Sequence, residues 1–224
     1  MKLLARMMAF LSFFVMVQYA NAASNSIYVD QIGDGANISI TQTGSGNQIG
    51  TSTTRSSFNG NNNLINVQQI GNQNIQNMNV IGDGATITTT VTGNSNQIDL
   101  NCPNCNSSNI TKTITGNGNQ VSMTNDGLTN TNLTIESDNN TVTMTNNTSA
   151  VSGVNNTINI SGGNGNQVTL DQTGSAAADG HSVDLAITGA INTVSIGQGG
   201  TVDSKINATI NGSSNALTIK SNHQ

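Results

Sequence analysis

The two cysteines stand three positions apart, as Cys102-Pro103-Asn104-Cys105. A Cys-x-x-Cys run can lower a thiol pKa for redox exchange, supply half of a zinc site, or close a disulfide. Two thiols do not fill a tetrahedral zinc site, and neither His181 nor His223 lies near them in sequence. No pattern around the pair signals the helix of a thioredoxin-like site. For a chain that leaves the cytoplasm, the expectation is a structural disulfide in a loop, with free or metal-binding thiols as the alternative. Closing so short a loop stabilises little.

The other reactive residue types are scattered. His181 follows Asp179 closely, and His223 stands near the C-terminus, with no partner spacing that signals a Ser-His-Asp site. The stretch Gly162-Gly163-Asn164-Gly165-Asn166-Gln167-Val168 resembles the calcium-binding nonapeptide of β-roll proteins, but Asn166 stands where the charged Asp belongs. Asp34 and Asp83 lie singly between glycines, whereas hard cations want several carboxylates. Turn-making is the plainer role for all of them. The expectation is therefore no enzyme, no cofactor, no metal and no small-molecule substrate.

What does recur is a turn of the form Gly/Ser-x-x-Asn. Its copies begin at Gly44, Gly71, Gly93, Gly116, Ser137, Gly163, Gly189 and Gly212. The paired asparagines are Asn47, Asn74, Asn96, Asn119, Asn140, Asn166, Asn192 and Asn215. Successive copies are 21 to 27 residues apart, a spacing typical of solenoids and arrays. A unit this small buries no core of its own, so order must come from stacking.

Aliphatic residues and Gln flank each turn with period two, which reads as strand, turn, strand with one buried face. Before the turns this selects Ile40, Gln42, Val67, Gln69, Val91, Ile114, Ile135, Ile160, Ile187 and Ile210. After them it selects Ile98, Val121, Val142, Val168, Gln172, Val194, Gln198 and Leu217. The fold expected is all-β: a β-solenoid of about eight stacked strand-turn-strand repeats of roughly 23 residues. Gly in the turn supports positive φ, and Asn tolerates the left-handed region. Stacked in register, the turn asparagines can form an amide ladder, as can the interior glutamines. Two irregularities stand out. Asn74 is followed at once by Ile75, and Ser161-Gly162-Gly163 carries an extra residue. Each slip calls for a bulge or a poorly paired unit. Residues 32–36 return as residues 81–85, and Ile27, Val29 and Gln31 precede Gly33 at the usual offsets, so an extra half-unit is expected at the start.

Residues 1–22 have a basic start at Lys2 and Arg6, an apolar run from Met7 to Val17, and a small-x-small site at Ala20-Asn21-Ala22. This pattern reads as a signal peptide, leaving residues 23–224 as the repeat domain. That domain holds four Lys or Arg against eleven Asp or Glu, a net charge of −7 with His neutral, so nucleic acid is not an expected partner. The chain contains 38 Asn and 29 Thr but no Trp, a composition that argues for disorder unless the repeats stack.

The string Ile38-x-Ile40-x-Gln42-x-Gly44-x-x-Asn47 resembles the repeat of curlins, the subunits of curli amyloid fibres of Gram-negative bacteria. Their repeat reads Ser-x5-Gln-x-Gly-x-x-Asn-x-Ala-x3-Gln. Gln69-Ile70-Gly71-x-x-Asn74 matches its first half; Asn166 with Gln172, and Asn192 with Gln198, match its second. The resemblance implies a secreted subunit that self-assembles end-to-end into fibres of the biofilm matrix, with roles in adhesion and aggregation. It further implies an outer-membrane secretion channel and a second curlin subunit as partners. Low charge, strand-rich pattern and a single proline, Pro103, accord with fibre formation. The alternative is a non-polymerising solenoid of ice-binding or adhesin type, suggested by outward Thr88, Thr90 and Thr92 followed by Thr111, Thr113 and Thr115.

Overall fold

The computed structural model describes residues 23–103, 109–126, 129–147, 154–173, 182–200 and 205–223. Residues 1–22, the expected signal peptide, lie outside them, as do Cys105 and His181. The chain opens with β1 (Ser26–Ile27) and β2 (Val29–Ile32), followed by β3 (Asn37–Thr43), β4 (Gln48–Ile49) and β5 (Ser56–Asn59). Next come β6 (Leu64–Ile70), β7 (Ile75–Ile81), β8 (Thr86–Thr92), β9 (Gln97–Pro103), β10 (Asn109–Thr115) and β11 (Gln120–Asp126). Then follow β12 (Thr129–Ile135), β13 (Thr141–Asn147), β14 (Val154–Asn159) and β15 (Gln167–Thr173). The last are β16 (Ser182–Ile187), β17 (Thr193–Gly200), β18 (Lys205–Ile210) and β19 (Ala216–His223).

The strands sort into two sheets by alternation along the chain. One has eight strands, with β3 and β18 at its edges; the other has eleven, with β1 and β19 at the ends of its main path. Each strand pairs in parallel with the strand one repeat away. The protein is a β-solenoid whose eight strand-turn-strand units each give one strand, or one broken strand, to either sheet. Parallel pairing without slip puts equivalent residues in columns. Ile65 pairs with Ile87 and Ile87 with Ile110; Val121 pairs with Val142 and Val142 with Val168. These side chains are buried between the sheets, forming one continuous apolar layer. Facing sheets sit about 10 Å apart, so the interior is narrow and grows only by adding units.

β1 and β2 supply the extra half-unit: Ser26 pairs with Gln48, and Val29 with Ser56. Counting columns, residues 26–32 make one regular strand equivalent to β7. The residues between β4 and β5 are an insertion, and β7 spans it by pairing with both. After the insertion, Phe58 returns to the interior with full burial.

Neither irregularity in the repeat produces a bulge or poor pairing. At Asn74 the register holds, Ile75 opposite Gln97 and Gln76 opposite Ile98. The cost is an inversion of type: Ile75 faces outward, 36% exposed, while Gln76 is fully buried. Its amide donates to Thr89 Oγ1 at 3.2 Å and to Met78 Sδ at 3.1 Å. In the sixth unit the extra residue is absorbed in the turn, so Ile160 keeps its interior place and its N–H donates to Thr134 O.

Candidate assembly site: the asparagine ladder and the open ends

From Asn74 onward the turn asparagines repeat one set of bonds, in which the backbone N–H and the side-chain amide both donate to the Oδ1 of the asparagine one unit earlier. The Asn47 amide instead donates to Thr43 O and Gly71 O. The amide distances are 3.0 Å from Asn74 to Asn47 and from Asn96 to Asn74, and 3.1 Å from Asn119 to Asn96. They continue at 3.0, 3.1, 3.0 and 3.0 Å through Asn140, Asn166, Asn192 and Asn215. The second amide proton commonly reaches the turn carbonyl of the following unit, as from Asn96 to Gly116 O at 2.8 Å. From Asn47 to Asn192 these side chains are fully buried, so their satisfied amides stand in low dielectric, where an unpaired one costs most.

The ladder begins one unit earlier than the eight Gly/Ser-x-x-Asn copies. Asn25 Oδ1 accepts from the Asn47 N–H at 2.9 Å, and its amide donates to Gly44 O at 3.0 Å. Its signal was present in the sequence: Ile27 and Val29 follow Asn25 at the same offsets as in later units. Only the missing glycine, replaced by Ala22, hid it.

The turn residues divide their labour differently from the sequence expectation. Positive φ does not fall on the ladder asparagines. It falls on the residue just before, including Gly46, Gln73, Ser95, Gly118, Asn139, Gly165, Ile191 and Ser214. The turn glycines have a further reason, close stacking. A Cβ on Gly93 would lie 1.8 Å from Gly116 O, and one on Gly189 would lie 1.9 Å from Gly212 O. Among the eight turn starts Gly44, Gly71, Gly93 and Gly116 also have positive φ, whereas Gly163, Gly189 and Gly212 do not. Ser137 is buried, at 7% exposure.

The interior positions expected from the sequence are Val67, Gln69, Val91, Ile98, Ile114, Val121, Ile135, Val142, Ile160, Val168, Gln172, Ile187, Val194, Gln198 and Ile210. All are buried. Ile40, Gln42 and Leu217 are partly so, because they lie in the terminal units. The glutamines make two separate groups in different sheets. Gln42 donates to Gln69 Oε1 at 2.8 Å in one, and Gln172 to Gln198 Oε1 at 2.6 Å in the other. Asn156 reaches across the interior to Gln172 Oε1, a buried amide outside the aliphatic and Gln positions selected from the sequence.

Lys112 occupies a core position between Thr89 and Leu133 and is completely buried. Its Nζ has no hydrogen-bond partner among the described residues. Burial lowers its pKa from 10.5 to about 7, against a smaller opposing pull from the Asp99 carboxylate. Cys102 is buried in the column of Phe58 and Val80 and is disulfide-bonded.

Both ends of the stack are strand edges. At the first, Ile27 and Ile32 are 48% and 59% exposed, and Val29, Ile38 and Ile40 are half covered. At the last, Leu217 and Ile219 are half covered and Asn215 is exposed. No helix, and no further strand, covers either edge among the described residues. Edge N–H and C=O groups beside a partly open apolar layer are a template for another strand.

No protein-family model matches the chain, and neither a curated protein nor a solved structure matches it.

Proposed function

We propose that the chain is a secreted structural subunit that stacks end-to-end with copies of itself into a curli-like fibre of the extracellular matrix. The observation that carries this reading is the pair of open ends. A ladder of buried amides and an apolar layer run the length of the molecule and stop at strand edges, so a second copy extends both. The curlin-like repeat in the sequence supports the same reading, as does the low charge of the strands. Export through an outer-membrane channel, and a companion curlin subunit, belong to this proposal.

The ice-binding or adhesin alternative has less behind it. Thr88, Thr90 and Thr92 do stand opposite Thr111, Thr113 and Thr115. On either side that array meets Asn66, Gln68 and Ile70, and then Asn132, so the threonine surface is short.

The test is incubation of purified residues 23–224 at neutral pH, followed by thioflavin fluorescence and negative-stain microscopy. Dye-binding fibres are expected. A chain that remains monomeric for days overturns the reading.

A further inference from the structure

The two ends of the molecule are not equivalent in their two sheets, and the difference specifies how one copy meets the next. At the C-terminal end β18 and β19 close a complete unit. At the N-terminal end the eleven-stranded sheet reaches one strand further than the other, through β1 and β2, while β3 is the edge of the eight-stranded sheet. A second copy can therefore dock in register on one sheet only: its β1 and β2 on the first copy's β19.

The columns make this docking specific. Followed unit by unit, the pairing places Ile27 in the column of Leu217, Val29 in that of Ile219, and Asp30 in that of Lys220. Two aliphatic pairs then face inward, and one pair of opposite charge faces outward. Asp30 and Lys220 are both exposed, and Asp30 already holds Arg55 at 2.8 Å. The ladder is complementary as well. Asn215 donates to Asn192 and ends the series, leaving its Oδ1 toward the next copy, whose Asn25 N–H occupies the donor position.

The geometry points to a polar, head-to-tail joint between copies in which β19 pairs with β1 and β2, Lys220 sits beside Asp30, and Asn25 continues the ladder from Asn215. The inference rests on the fibre reading above and adds its register, polarity and asymmetry. One consequence is that the eight-stranded sheet is left a strand short at each joint. The joint therefore has backbone pairing in one sheet where the contacts between complete units have it in two, and fibres break at joints first.

The test is a paired-cysteine experiment on full-length mature chain, assembled under reducing conditions and then oxidised. Neighbouring parallel strands are about 4.8 Å apart, so Asp30→Cys with Lys220→Cys places two thiols within disulfide reach across the joint. Asp30→Cys with Thr218→Cys, offset by two residues, puts the Cα atoms about 8 Å apart, beyond bridging. All three sites face outward or are exposed, so the variants should fold. The expected result on a non-reducing gel is a ladder of covalent multimers from the first pair and monomer from the second. Independently, Lys220→Glu should slow elongation several-fold at low salt, and adding salt should narrow the difference. Fibres that cross-link through the offset pair, or through neither pair, overturn this joint while leaving the fibre reading intact. A wild-type chain that never assembles overturns both.

Discussion

The Ser137 hydroxyl donates to the Gly163 carbonyl at 2.8 Å, and this contact joins two departures from the repeat. Elsewhere the turn start is glycine because a Cβ would meet the next unit's carbonyl. Ser137 escapes that clash because the unit stacked on it carries the extra Gly162, with φ 79°. The hydroxyl also accepts from the Asn140 amide at 2.9 Å, relaying the bond that other ladder asparagines make directly. Serine and the extra residue compensate each other.

Breaking only one half of that pair should destabilise, and breaking both should be milder than the sum. Ser137→Ala leaves one Asn140 amide proton without its acceptor, while the Gly163 carbonyl keeps only the Asn166 amide, at about 1–3 kcal/mol. Deleting Gly162 alone drives the Ser137 Cβ onto backbone and should cost more. Ser137→Gly combined with the deletion restores the regular turn. Urea melts of the soluble monomer check the cycle; strictly additive losses would argue against the compensation.

The ladder is the largest polar feature of the interior, and its middle member is the most informative to remove. Asn119→Ala strips the acceptor used by the Asn140 N–H and amide, and the donor used by Asn96 Oδ1 and Ser137 O. A loss on the order of 3–5 kcal/mol is expected, with amide exchange accelerating first at the adjoining turns. A loss under about 1 kcal/mol would show that water replaces the ladder freely.

Lys112 gives the fold a pH dependence whose sign follows from its depressed pKa. Unfolded, the amine titrates near 10.5; folded, near 7. Between those values the unfolded chain binds the extra proton, so stability rises with pH across that window and levels off above it. Below about 7 the charge must be buried, and this stabilising contribution is absent. Lys112→Met fills the same column without charge. It should raise stability at neutral pH by an amount on the order of several kcal/mol and flatten the slope between pH 7 and 10. Thermal melts across that range give the answer, and an unchanged slope in the variant would remove Lys112 as the cause.

Ile191 holds φ 57° at the turn position that other units fill with Gly, Ser, Gln or Asn, and it is 67% exposed. A β-branched residue is strained in the left-handed region and gains little from packing here. Ile191→Asn should stabilise by about 1 kcal/mol, raising Tm by a few degrees. A lower Tm would show that the isoleucine makes a contact worth more than its backbone strain.

The sequence reading reached the columns because period two and the turn spacing are both direct consequences of stacked strands. It misplaced the left-handed residue because Asn is a common occupant of that region, whereas here the ladder needs it one position later. It expected a bulge or a poorly paired unit at Ile75 because local hydrophobicity favours sliding the strand by one residue. The register instead follows the backbone pairing of β7 with both neighbours, and Gln76 goes inside with its amide nitrogen bonded to Thr89 and Met78 but its Oε1 without a partner among the described residues. Asn25 was hidden by Ala22, whereas Lys112 stands between Ile110 and Ile114 on the period-two face that the structure buries.

Fibre X-ray diffraction from aligned, aged samples of residues 23–224 tests the account most directly. Subunits stacked as described put every strand across the fibre axis, and a sharp meridional reflection at about 4.8 Å is predicted. Fibres lacking that reflection, or solution scattering from a monomer that never elongates, would contradict it.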